Sequence, residues 1–265
     1  MVQLKTKASS LHDRLVATVE RSEPITQFEI KAFEREISEI KAINLVSGLM
    51  LEGILYAISE NEAACNKAHR QSIAAAPHNS QVHCNYGVSL KKFLHYGESV
   101  DYFYKAVKLS PRSLAAIGYL LNLILLTGRI ELLPDVVYEC KDKLPEVPFE
   151  ELPYMNAALQ YADIAERLKI SSKDLQAVSA KVEEIAKRRN LALMSFTHRQ
   201  GNFGGQGILH AMFAVNADGK TLFEMNEELH DFIAEDLNIE SWEKLSFSFR
   251  RFPAEDNRKE FEIVS

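Results

Sequence analysis

Three prolines, Pro77, Pro111 and Pro145, stand 34 residues apart, and Gly53 and Gly87 keep the same step 24 residues ahead of the first two. A fixed period of this length marks a stack of helical hairpins, not one closed core of unlike parts. Proline lacks the backbone N–H and its ring collides with the preceding turn, so it ends a helix where it falls. The spacing therefore predicts repeated hairpins that each stop at a fixed place. Such stacks present extended surfaces that commonly bind other proteins.

Ending each unit just past its proline gives 46–79, 80–113 and 114–147. Position 8 reads Gly53, Gly87 and Leu121, where a small residue lets the first helix approach its partner. Positions 11 (Tyr56, Leu90, Ile124) and 24 (His69, Phe103, Val137) are suited to fill the seam between the two helices. Position 27 (Ser72, Ala106, Cys140) is small and admits the next hairpin. The third unit departs from the pattern at Leu121 and carries an extra Pro134 early in its second helix, which predicts a distorted hairpin.

This pattern resembles the tetratricopeptide repeat (TPR) family over residues 46–147. The resemblance implies a groove lined by positions 2, 5, 9, 12 and 13 of each unit. From these, the residues expected to meet a partner are Met50, Ile54, Cys84, Val88, Lys91, Lys92, Asn122 and Leu125. Members of the family that hold a peptide's terminal carboxylate place lysine and asparagine where this chain has Met50 and Ile54, so that mode of binding is rejected. The groove reads as mostly apolar. It suits an amphipathic helix, or else the chain's own N-terminal helices or C-terminal sheet fill it, since an open apolar groove is a liability.

On either side the periodicity changes. Residues 1–45 read as two helices, the second capped by Thr26 with Glu29 three residues on. Residues 148–189 read as two more, over 149–168 and 172–189, with Ser171 or Ser172 as a cap. The last of these has one narrow apolar face and a charged remainder, as a terminal cap requires. From about 190 the texture is strand-like: an alternating segment at 191–198, an apolar strand at 208–215, a helix at 224–236 and an alternating strand at 245–252. Asn216 to Gly219 reads as a turn. The fold class expected is mainly α: a TPR-like helical solenoid followed by a small α+β domain, an antiparallel sheet with one helix, at 190–265. The charged tail beyond Pro253 reads as loose.

Two features of the C-terminal piece could carry chemistry. Gly201, Gly204, Gly205 and Gly207 sit between two strands, but without a GxxxxGK[ST] pattern or a following helix they read as a long hairpin connection, not a phosphate cradle. His198, Arg199 and His210 resemble the histidine and arginine equipment of small nucleases, provided that the two histidines face each other. The acids of the neighbouring helix (Glu224, Glu227, Glu228, Asp231, Glu235, Asp236) argue against RNA. No metal-ligand spacing, cofactor motif or nucleophile motif is present, so no metal and no cofactor are expected.

A net charge of −6 gives no general attraction to nucleic acid or anionic membrane. The most apolar stretch, 115–126, is shorter than the roughly 20 residues of a spanning helix and reads as a buried core helix. The N-terminus lacks the apolar run of a secretory leader. Three widely spaced cysteines suit reduced thiols. The sequence thus points to a cytoplasmic, bacterial-style, non-catalytic protein-binding module (adaptor, chaperone-like, or immunity or antitoxin partner), with another protein or peptide as partner and a homodimer through the C-terminal sheet as one arrangement. The alternative is a small nuclease or toxin-like enzyme on that sheet.

Overall fold

The computed structural model describes residues 2–21, 23–144, 146–148, 151–236 and 238–252, the side chains of 2–6 and 20 excepted. Two compact units divide the chain, Met1–Ser110 and Pro111–Ser265. The division falls between the second and third repeats.

The first unit is all helix. α1 (Val2–Glu20) and α2 (Gln27–Ile43) precede two hairpins, α3 (Leu45–Ile58) with α4 (Glu62–Ala75) and α5 (Ser80–Lys92) with α6 (Tyr96–Leu109). α2 opens on the expected capping box: Thr26 Oγ1 accepts from the Glu29 N–H while the Glu29 carboxylate accepts from the Thr26 N–H. That carboxylate also takes two bonds from Arg21, which is the main reason its pKa falls to about 2.

The 34-residue step is written into the backbone as well as the sequence. Glu60, Leu94 and Gly128 are each 34 apart, and all three adopt left-handed φ, of 59°, 60° and 69°. They are the bends between the two helices of each unit. The second helices of the units end at Ala76, Ser110 and Leu144, whose φ/ψ pairs of −146/66°, −145/77° and −127/49° lie outside the helical region. A following proline disfavours the helical region for the residue before it, and Pro77 and Pro111 stand directly after the first two. Pro145 lies outside the described residues.

Position 8 is glycine for a specific reason. A Cβ on Gly53 would come within 2.5 Å of the His69 ring, and one on Gly87 within 2.8 Å of the Phe103 ring. Both rings occupy position 24 of the same unit, so the glycine of the first helix receives the ring of the second. The small position 27 is buried in all three units, as Ser72, Ala106 and Cys140.

In the second unit α7 (Leu114–Thr127) leads through a 3-10 turn at Ile130–Leu132 to α8 (Leu133–Lys143), then α9 (Met155–Leu168) and α10 (Ser172–Arg188). The apolar stretch 115–126 is the buried core helix expected, with Leu120, Leu121 and Leu123 to Thr127 all covered. α7 touches α8 only slightly and packs instead on α9 and α10, so the third hairpin is splayed open. Pro134 falls in the first turn of α8, where a missing N–H breaks no helical bond. Ser171 caps α10, as its hydroxyl accepts from the Asp174 N–H. The helix expected over 149–168 begins at Met155; residues 149 and 150 lie outside the described residues.

The sheet follows: β1 (Ser195–Phe203), β2 (Gln206–Val215), α11 (Gly219–Glu235) and β3 (Leu245–Arg251). The strand order is β1-β2-β3. β1 and β2 are antiparallel, whereas β3 runs parallel to β2. The sheet is therefore mixed, which corrects the fully antiparallel form expected. The crossover through α11 explains it, because a helix between two strands carries the chain back to the starting end of the sheet. Asp218 and Gly219 are not a hairpin turn: Asp218 caps α11 by accepting from the Thr221 N–H. The glycine-rich piece is not a long loop either. The strands run up to Phe203 and resume at Gln206, leaving Gly204 and Gly205 at φ +60° and +88°. Two adjacent positive φ values are the signature of a type I′ turn. The tail from Pro253 lies outside the described residues.

Candidate partner-binding surfaces

In the first unit the inner face of the first repeat is already occupied. Leu11 and Leu15 of α1 and Phe33, Ile37 and Ile40 of α2 form one cluster with Leu51 and Leu55 of α3. Ile54 and Ile58, both expected to line the groove, pack against this cluster. Phe33 is 7% exposed. The N-terminal helices thus fill the groove at its first repeat, and Ile54 is half-buried by them. Met50 is half-buried too. A shallow hollow of about 340 Å³ between α1 and α2 holds Arg14 and Arg21, both in ion pairs, with Glu36 and Glu29 respectively.

The second repeat is more open. Val88 is 40% exposed, Lys92 is exposed, and Cys84 and Lys91 are half-buried. The Cys84 thiol is pushed up to about 11 by burial, and Cys65 to about 12. Neither is poised as a thiolate nucleophile. In the second unit Asn122 is half-buried and Leu125 only 2% exposed. Leu125 belongs to the core of that unit and is not available to a partner, because the splayed hairpin turns α7 into a central helix.

Unit 1 also buries a polar pair. His69 Nε2 lies 2.9 Å from Ser89 Oγ, with His69 wholly covered. Burial lowers the His69 pKa from 6.5 to about 4. The ring stacks at 5.0 Å on Tyr86. Enclosed in this way, the pair has no access to a substrate.

On the sheet, register decides the fate of the proposed nuclease residues. His198 pairs with Ala211, and Arg199 pairs with His210. Paired residues share a face and successive residues alternate, so His198 and His210 point to opposite sides. Convergence of the two histidines fails for that reason. His198 belongs to the packed face: its ring is 5.1 Å from Tyr161 of α9 and 5.7 Å from Phe196, and burial lowers its pKa. Phe196, Phe213, Phe247 and Phe249 continue this aromatic layer. The opposite face carries Thr197, Arg199, His210, Ser246, Ser248 and Arg250, all exposed or half-buried. There the His210 ring leans over Gly201, where a Cβ would meet it at 2.4 Å.

The two sheet edges are treated differently. At β3, Asn226 of α11 acts as a substitute strand: its amide nitrogen donates to Phe249 O at 3.0 Å and its oxygen accepts from Phe249 N at 2.7 Å. His230 Nε2 donates to Phe247 O at 3.1 Å. At β1, among the described residues, no group outside β2 bonds the backbone of the strand. This edge was not singled out by sequence, although the order of elements places β1 next to β2 alone.

Among the described residues no three His, Cys, Asp or Glu side chains gather as a metal site, and no helix is long and apolar enough to cross a membrane. No protein-family model matches the chain, and no curated protein matches it. Among solved structures, a mutant O-GlcNAc transferase of Thermobaculum terrenum is similar over 53% of this chain and 26% of that one, at 17% identity and a TM-score of 0.39. The chain thus spans about a quarter of that protein, and the likeness is too slight to carry a function across.

Proposed function

We propose that this chain is a non-catalytic protein-binding module that carries helical hairpins and a C-terminal sheet, and that the sheet receives the partner. Adaptor, chaperone-like and immunity-type roles all fit such a module. The observation that carries the reading is the unequal treatment of the sheet edges: α11 covers β3 with three hydrogen bonds, while among the described residues the outward-facing backbone groups of the nine-residue β1 meet no other element. An uncovered edge is a template for another chain, and proteins that do not use such an edge normally guard it. The exposed part of the second repeat, around Val88 and Lys92, offers a further contact. The groove of the first repeat contributes little, since α1 and α2 occupy it.

Affinity capture of the full chain from its native host, followed by mass spectrometry, tests the reading. Recovery of a second protein in near-equal amount is expected. Recovery of only the chain itself would refute it.

A further inference from the structure

We propose that β1 accepts an extended, acidic segment of another protein as a fourth strand, with Arg199 meeting its carboxylates. The proposal rests on the protein-binding reading above and specifies the chemistry of the partner.

The three strands contain no aspartate or glutamate, in a chain that has 37 of them. Their charged groups are Arg199, Arg250 and Arg251, with His198 and His210 beside them. Several arginines elsewhere are matched to carboxylates: Arg14 to Glu36, Arg21 to Glu29, Arg129 to Glu131, Arg167 to Asp163, and Arg188 and Arg189 to Glu228, while Arg112 donates to the Lys143 carbonyl instead. Arg199 is exposed in the middle of the open strand and has no carboxylate partner among the described residues. Among the described residues Arg250, two strands away on the same face, reaches only the Ser195 hydroxyl at 3.5 Å. A strand added at β1 would satisfy the open backbone groups, and its residues facing Arg199 would be favoured if acidic.

Charge also decides against the other occupants. A second copy that paired β1 with β1 over the full nine residues, antiparallel, would set Arg199 directly opposite its own copy, and like charges so placed are destabilising. A long polyanion lying across the sheet would meet the acids of α11 at the β3 edge. Those acids lie on α11 at the outer edge of β3, farther from β1 than the two strand spacings of roughly 10 Å between β1 and β3, which is already about one Debye length at physiological salt. A short acidic strand at β1 is therefore spared a repulsion that a nucleic acid spanning the sheet is not.

The test uses the full chain and a library of nine-residue peptides in which each position is fixed in turn as glutamate, lysine or alanine, with binding read by fluorescence anisotropy. Each well-placed glutamate should tighten binding about two- to fivefold over alanine, at alternate positions. In Arg199→Glu, an exposed change whose folding is checked by circular dichroism, the preference should turn to lysine. Absence of any charge preference in the wild-type chain would overturn the proposal. So would self-association abolished by Arg199→Glu, which assigns the edge to a second copy, or displacement of the peptides by single-stranded oligouridylate. Acid selection that appears only after E255Q, D256N, E260Q and E262Q would also overturn it, by making the chain's own tail the competitor. A captured host protein whose footprint lies on β1 but whose segment there is not acidic would sink this proposal and leave the protein-binding reading standing.

Discussion

Acidification from pH 7 to 4.5 should weaken the first unit chiefly through His69. The folded state holds its ring neutral, at a pKa of about 4 against 6.5 when free. Between those values the unfolded chain binds a proton that the folded chain refuses, so stability is full above about pH 6.5 and falls as the pH drops toward 4. Each pH unit in that window is worth about 1.4 kcal/mol, so the loss by pH 4.5 is roughly 2.5 kcal/mol. The assay is urea unfolding at a series of pH values, comparing the wild type with His69→Phe. Phenylalanine is the natural control, because Phe103 holds the same repeat position 34 residues on. His198, whose pKa burial also lowers, is present in both proteins and cancels. The wild type should lose about 2–3 kcal/mol more than the variant between pH 7 and 4.5. Parallel pH profiles for the two proteins would refute the assignment of a buried neutral ring.

Three further outcomes follow from the packing. Gly87→Ala places a Cβ within 2.8 Å of the Phe103 ring and should cost about 1–3 kcal/mol by thermal unfolding; a neutral result would mean the hairpin seam is loose. Gly205→Ala meets no neighbour within 4 Å, so its cost should be purely conformational, about 1–2 kcal/mol, and Gly205→Asn should recover part of it. Asn226→Ala removes both bonds to Phe249. It should cost about 1–3 kcal/mol and increase self-association by sedimentation, since a second edge is then exposed.

Much of the fold was legible because it rests on hard local rules. Pro77 and Pro111 stop helices by sterics alone, and the Thr26–Glu29 cap needs only four consecutive residues. What was misread depends on partners distant in sequence. The parallel placement of β3 follows from α11 lying between two strands, a strand–helix–strand order that was itself the available signal. The opposite facing of His198 and His210 follows from the turn position. With Gly204 and Gly205 at the tip, paired residues sum to 409, and 198 and 210 miss by one. Recognising the two-glycine turn would have given that parity from sequence. The filling of the first groove by Phe33 and the burial of Leu125 had no local signal, because periodicity shows which face of a helix is apolar but not which helix covers it.

The most direct measurement of the central claim is hydrogen exchange of the full chain with and without its captured host partner. Slowed exchange should concentrate in residues 195–203, with the outward Phe249 N–H of β3 already protected in the unbound chain by its bond to Asn226 Oδ1. Protection confined to α1 and α2, or no change at β1, would contradict that claim.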